Sequence, residues 1–303
     1  MKLNTRVTIA GVELKNPVMT ASGTFGSGME YSEFVDLNRL GAVVTKGVAN
    51  VAWEGNPTPR IAETHGGMLN AIGLQNPGID VFVQRDIPFL KQFDTKIIVN
   101  VCGHTKEEYL EVVERLGDEP VDLLEINISC PNVKEGGIGF GQNADSVFDI
   151  TAAVKKKAVQ PVIMKLSPNV TDITEMARAA EAAGADALSL INTLTGMKID
   201  IEKQTFVLAN KTGGLSGPAI KPVAVRMVNQ VANAVKLPII GMGGIACYED
   251  AIEFILAGAT AVSVGTANFY RPNVTMEIVE GIEQYMHRHG CEEITELIGK
   301  VNR

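Results

Sequence analysis

Eight short apolar, largely β-branched runs recur along this chain, separated by longer stretches with helical signals. They are Pro17-Val-Met-Thr, Ala42-Val-Val-Thr, Ile97-Ile-Val-Asn, Leu123-Leu-Glu-Ile, Val162-Ile-Met-Lys, Ala187-Leu-Ser-Leu-Ile, Pro238-Ile-Ile-Gly and Ala261-Val-Ser-Val. Each is nearly continuously hydrophobic rather than alternating, as a parallel strand buried on both faces must be. Between them, Asp172 stands as an N-cap with Glu175 three residues on, and that segment stops at Gly184. The segment from Tyr248 stops at Gly258, and Ala-Gly-Ala leads into the next run in both places. Alternation of this kind over about 250 residues predicts an α/β protein, a (β/α)8 TIM barrel. A doubly wound sheet is the alternative, disfavoured because no Gly-x-Gly-x-x-Gly follows the first run.

Three segments exceed a minimal barrel. Thr5 to Asn16 reads as a hairpin plugging the N-terminal mouth. Met197 to Ser216, with Lys-Ile-Asp-Ile and Thr-Phe-Val-Leu, reads as an inserted hairpin above the C-terminal face. Asn50 to Pro77, rich in Gly, Pro and Asn, reads as a long loop on that face, where such loops are usually functional. With neither an internal repeat nor a low-complexity linker, one domain over 1–303 is expected.

Barrel enzymes carry their chemistry at the C-terminal strand ends. Here those ends deliver Ser22, Thr45-Lys46, Asn100, Asn127 with Cys130, Lys165, Asn192-Thr193, Gly241-Met-Gly-Gly244 and Gly265-Thr266. Asn127-Ile-Ser-Cys-Pro-Asn132 offers one thiol, one hydroxyl and two carboxamides within six residues, with a proline fixing the backbone after the thiol. That set suits a base or nucleophile surrounded by neutral groups that read a planar polar ligand. The glycines after the last two strands supply bare backbone N–H groups for a phosphate. Lys46 and Lys165 end apolar strands, and a buried ammonium needs an anionic partner. With no carboxylate at the neighbouring strand ends, a ligand is the expected counter-ion, and a salt bridge from Glu125 is the alternative. His65, His104, His287 and His289 form no obvious motif with Cys130, which weakens a Cys–His hydrolase reading.

A net charge of -8 argues against a nucleic-acid partner. The one basic run, Lys155 to Lys157, reads as a solvated helix end. Four widely spaced cysteines, none in a CxxC pair, suit free thiols in a reducing cytoplasm rather than a disulfide framework or a metal site. The N-terminus lacks the apolar core of a signal peptide, and no apolar stretch reaches the roughly 20 residues of a membrane span.

Asn127-Ile-Ser-Cys-Pro-Asn132, Asn70-Ala-Ile-Gly-Leu-Gln-Asn-Pro-Gly78 and Gly241-Met-Gly-Gly-Ile245 resemble the dihydroorotate dehydrogenases, FMN enzymes of pyrimidine biosynthesis. The resemblance runs essentially end to end. It is strongest to the NAD-linked class 1B catalytic subunit, through Thr20 to Gly26, Glu54 to Arg60 and Gly66 to Asn70. The membrane-linked class has serine where Cys130 stands, and an N-terminal helical extension. The resemblance implies that Cys130 is the general base removing a proton from C5 of dihydroorotate, with hydride passing from C6 to FMN. It implies substrate contacts from Lys46, Asn70, Ala71, Ile72, Gly73, Leu74, Asn127, Asn192 and Thr193, with Asn132 a further candidate. It implies FMN contacts from Ser22, Thr45, Lys46, Asn100, Asn127, Lys165, Ile191, Gly217, Gly243, Gly244, Gly265 and Thr266. It also implies a second subunit carrying FAD and an iron–sulfur cluster and passing electrons to NAD+. The expected assembly is a heterotetramer, two of each subunit, around a homodimer of this chain. A fumarate-linked homodimer, a dihydropyrimidine-reducing enzyme and a non-catalytic flavin-binding barrel are the alternatives. Asn132 to Asn143, with four glycines, is the expected lid.

Overall fold

A computed structural model of the chain describes residues 3–129 and 139–302. Strands β1 (Val7–Ile9) and β2 (Val12–Leu14) pair antiparallel as the expected N-terminal hairpin. The eight apolar runs become β3 (Val18–Thr20), β4 (Ala42–Val44), β7 (Lys96–Val101), β8 (Leu123–Asn127), β9 (Val162–Lys165), β10 (Ala187–Leu190), β15 (Ile239–Met242) and β16 (Ala261–Val264). They pair in parallel in that order, and β16 closes on β3 to complete a (β/α)8 barrel. Every residue of β4, β8, β9, β10, β15 and β16 is buried, which is why those runs do not alternate.

The outer ring contains α1 (Ile79–Val81), α2 (Ile87–Leu90), α3 (Lys106–Arg115), α4 (Ala144–Lys157), α5 (Ile173–Ala182), α6 (Lys221–Ala232), α7 (Tyr248–Ala257) and α8 (Val274–Arg288). A π-helical turn, Phe82–Asp86, joins α1 to α2. The buried residues of α5 are Ile173, Met176, Ala177 and Ala180, the i, i+3, i+4, i+7 stripe of a helix lying on a sheet. Asp172 caps α5 by accepting from the Thr174 N–H at 2.8 Å, and Gly258 closes α7. Lys155 ends α4 in an ion pair with Asp186, and Lys157 pairs with Glu114. The first crossover differs from expectation. After β3 the chain makes two 3-10 turns, Tyr31–Glu33 and Leu37–Arg39, instead of an α-helix. Three glycines between Gly23 and Gly28 disfavour a helix there.

The long loop is also corrected. Within it, β5 (Ile61–Thr64) and β6 (Gly67–Asn70) form a hairpin closed by a His65-Gly66 turn, with Gly66 at φ +71°. The inserted region supplies β11 (Leu194–Met197), β12 (Ile199–Asp200), β13 (Thr205–Phe206) and β14 (Thr212–Ser216). Strands β12 and β13 form the expected small hairpin. Strands β5, β6, β14 and β11 join in one antiparallel sheet over the C-terminal rim, packed on a small core of Ala62, Leu69, Ala71 and Leu208. No described helix is long and apolar enough to cross a membrane.

Candidate active site

A cavity of about 710 Å³ lies between the C-terminal rim of the barrel and this upper sheet. From the barrel, Ser22, Lys46, Asn127, Ser129, Lys165, Ile191, Asn192, Thr193, Gly243, Gly244, Gly265 and Thr266 line it. From the upper layer come Asn70 to Leu74 and Gly217. The fold therefore gathers nearly every residue singled out in the sequence at one mouth. Thr45 and Asn100 do not line it. Both are fully buried, and the Asn100 N–H donates to Thr45 Oγ1 at 3.3 Å. Cys130, Asn132 and the first part of the expected lid, through residue 138, lie outside the described residues. None of the four histidines lines the cavity; His104 packs against Trp53 instead, with ring centroids 3.9 Å apart and the planes tilted by 34°.

The polar wall is ordered by its own hydrogen bonds. The Asn192 amide donates to Asn127 Oδ1 at 3.4 Å, and the Thr193 N–H donates to Asn192 Oδ1 at 2.7 Å. Tyr109, buried behind the wall, donates its hydroxyl to the Asn127 carbonyl at 2.6 Å. Ser129 donates its hydroxyl to the Lys165 carbonyl at 3.0 Å, tying the end of β8 to β9. Lys46 is anchored by its N–H to the Gly26 carbonyl at 2.9 Å. Its ammonium stands by the opposite loop, 3.7 Å from where a Cβ on Gly23 would be.

Lys165 requires a correction. Its Nζ lies 3.5 Å from Glu125 Oε1, and both side chains are buried. A counter-ion therefore exists within the barrel. The alternative, a salt bridge from Glu125, holds for Lys165; Glu125 ranked second because it sits inside an apolar strand rather than at its end.

The remaining corner is bare backbone. Gly243 and Gly244 follow β15 at φ +122° and +85°, and Gly217 faces them from the end of the upper sheet at φ +101°. A Cβ on Gly244 would lie 2.8 Å from both the Gly217 carbonyl oxygen and Lys221 Cβ. Thr266 donates its hydroxyl to Ser216 Oγ at 2.7 Å across the same corner. Behind it, Lys221 bonds Asp250 and Glu253, each at 2.7 Å. Burial works against the Lys221 ammonium, but those two bonds outweigh it and raise its pKa above the ordinary lysine value. Burial would raise Asp250, but bonds from Lys221 and the Ala246 N–H hold it below the usual carboxylate range. Burial pushes the nearby Cys247 thiol up to about 11, which disfavours the thiolate at neutral pH.

Sequence reasoning missed Ser129, Asn169, Ser216 and Ser263, all of which line the cavity. Ser129 lay within the quoted motif, and Asn169 stands four residues past the β9 end. No local signal marks Ser216 or Ser263. Taken together, the mouth can hold an anionic, planar ligand with one end in the glycine corner and polar edges against the asparagines.

Comparison with known proteins points the same way. The sequence profile of the dihydroorotate dehydrogenase family matches residues 4–286. A protein of Lachnoclostridium phytofermentans described as "Dihydroorotate dehydrogenase B (NAD(+)), catalytic subunit" is 72% identical over 299 residues, covering 99% of this chain and 100% of that one. One from Alkaliphilus oremlandii with the same description is 68% identical over 298 residues, covering 98% and 99%. The crystal structure of an Eimeria tenella DHODH in complex with ferulenol superposes with a TM-score of 0.83, covering 99% of this chain and 89% of that one. At 24% identity, that likeness speaks for the fold alone. The chain belongs to the dihydroorotate dehydrogenase family.

Proposed function

We propose that this chain oxidises (S)-dihydroorotate to orotate in pyrimidine biosynthesis, with FMN held in the mouth of the barrel. The observation that carries this is one cavity uniting two lysines, a hydrogen-bonded asparagine wall and a bare glycine corner. The relatives at 72% and 68% identity, described as dihydroorotate dehydrogenase B catalytic subunits, support it.

The lining suits FMN. The volume, about 710 Å³, falls in the ~300–1,000 Å³ range of small-molecule and cofactor sites. The corner of Gly217, Gly243 and Gly244, with the hydroxyls of Thr266 and Ser216, offers a phosphate unobstructed backbone. Ser263 Oγ, on a residue only 1% exposed, lines the cavity with no protein partner among the described residues, and so awaits a polar ligand atom. Ser22, Lys46, Asn127, Lys165, Ile191, Gly265 and Thr266 would hold the rest of FMN, with Thr45 and Asn100 supporting the floor from beneath.

When bound, FMN supplies the hydride acceptor. The chain's own residues do the positioning. Lys46 neutralises the substrate carboxylate. Asn70, Asn127 and Asn192 read the ring's polar edge, and the Thr193 N–H fixes which way the Asn192 amide points. Backbone from Ala71 to Leu74 closes over the ring. Cys130 follows Ser129, which is tied to Lys165, and takes the C5 proton as general base. The upper sheet keeps water from the reacting atoms.

Electrons then leave through a partner subunit with FAD and an iron–sulfur cluster and reach NAD+, in a cytoplasmic heterotetramer built on a homodimer of this chain. The description of the relatives as NAD+-linked catalytic subunits supports that route. The test is flavin reduction by Cys130→Ser. A hydroxyl is a far weaker acid than a thiol, whose ordinary pKa is ~8.5, so reduction should slow and its optimum move to higher pH. An unshifted profile refutes the base assignment. Rapid turnover of the isolated chain with fumarate refutes the NAD+ route.

A further inference from the structure

Beneath the cavity floor, Glu125 sits in a polar layer with Asn100, Ser189 and Lys165, and Glu125 itself has no assigned role in the site. The parallel registers set it opposite Asn100 on β7, and set Lys165 on β9 opposite Ser189 on β10. Asn100 Nδ2 donates to Glu125 Oε1 at 2.6 Å, and Ser189 Oγ donates to Oε2 at 2.8 Å. Lys165 Nζ stands 3.5 Å from Oε1, and it is Lys165 that reaches the cavity. Glu125 is 1% exposed, and neither it, Asn100 nor Ser189 lines the cavity.

An unpaired buried carboxylate is costly, and an apolar side chain would fill a barrel interior at less expense. A purely structural role also leaves unexplained why the ion pair is placed directly under the ligand cavity. We infer that Glu125 is a positioning residue that sets the reduction potential of the flavin by sharing the charge of Lys165. The inference rests on the functional reading above. Uptake of a hydride, two electrons and one proton, leaves the flavin ring with one more negative charge. An unshared Lys165 ammonium would favour that reduced state strongly. With Glu125 drawing on the same ammonium, the preference is moderated, and the reduced flavin passes its electrons on more readily. The 3.5 Å separation, longer than an ordinary N–H···O contact, fits an ammonium shared between the carboxylate and a ligand above it.

The experiment compares the flavin midpoint potential of the holoprotein with those of Glu125→Gln and Ser189→Ala, by spectral titration against a reference dye. Gln keeps the shape; the Ser189 hydroxyl can accept from the new amide, so the barrel should fold. Glu125→Gln should make the potential more positive, with reduced FMN gaining at least tenfold in affinity over oxidised FMN, about 30 mV for a two-electron couple. Ser189→Ala removes a donor from the carboxylate, leaves its charge less compensated and should move the potential the other way. Its sign tests the inference even where Glu125→Gln does not fold. If the variants lose thermal stability, or lose oxidised and reduced FMN alike, while the potential stays put, Glu125 is structural and the inference is overturned. A native protein that binds no FMN overturns the functional reading itself.

Discussion

The Gly244→Ala substitution probes the glycine corner most sharply. Gly244 sits at φ +85°, and an added Cβ would lie 2.8 Å from the Gly217 carbonyl oxygen, 2.8 Å from Lys221 Cβ and 3.0 Å from Lys221 N. Neither neighbour can yield easily. Gly217 is backed by Gly67, since its own Cβ would come within 2.7 Å of Gly67 Cα. Lys221 is held by Asp250 and Glu253. The left-handed backbone costs a non-glycine residue about 1–2 kcal/mol, and overpacking against fixed neighbours a further ~1–3 kcal/mol. The backbone strain costs stability with or without FMN; the overpacking, expressed in FMN binding, is a loss of about 5- to 150-fold in affinity, at ~1.4 kcal/mol per decade. The assay is FMN release, followed by recovery of free-flavin fluorescence on dilution. Gly11→Ala is the control, because Gly11 has φ +82° but nothing within 4 Å of its added Cβ. It should cost stability through strain alone and leave FMN affinity unchanged. If Gly244→Ala binds FMN within about threefold of the native protein, the corner is neither rigid nor a phosphate cradle.

Three further outcomes are expected. Lys46→Met removes a charge-assisted contact of about 1.5–3 kcal/mol, so kcat/KM for dihydroorotate should fall about 10- to 150-fold, while dihydrouracil, lacking the carboxylate, should be scarcely affected; equal losses would refute the assigned partner. Tyr109→Phe removes a hydroxyl donor from the buried Asn127 carbonyl, which should cost about 1–3 kcal/mol by denaturant titration and slow flavin reduction through a looser β8 end. Asp250 titrates below its ordinary 3.8 in the folded chain, so its contribution to stability is complete above that value and is lost as pH falls through the lower folded one. Asp250→Asn should cost about 1–2 kcal/mol at neutral pH, through the lost ion pair and a weakened cap, and flatten the acid limb of a melting-temperature profile.

The barrel was legible because burial on both faces leaves the strands few polar positions, as in Ala42-Val43-Val44. Helices such as α5 were legible from their apolar stripe and cap. The β5–β6 hairpin was hidden by its shortness and polarity: one face packs on only four core residues, so Ile61-Ala-Glu-Thr resembles a loop. The Lys165 counter-ion was legible only as the alternative, for another reason. Glu125 and Lys165 are close only because β8 and β9 pair with Asn127 opposite Lys165, a register that neither strand encodes alone. Thr45 and Asn100 stand near their strand ends as catalytic residues do, but both are fully buried and neither lines the cavity. Strand ends locate the mouth of a barrel well; which end residues reach the ligand depends on pairing and pleat.

The most direct measurement is an anaerobic absorbance spectrum of the purified protein before and after addition of (S)-dihydroorotate. A yellow protein whose flavin band bleaches in proportion to added dihydroorotate, and only slowly with dihydrouracil, is the expected result. A colourless protein, or a flavin band untouched by dihydroorotate, would contradict an FMN-filled cup built to oxidise that acid.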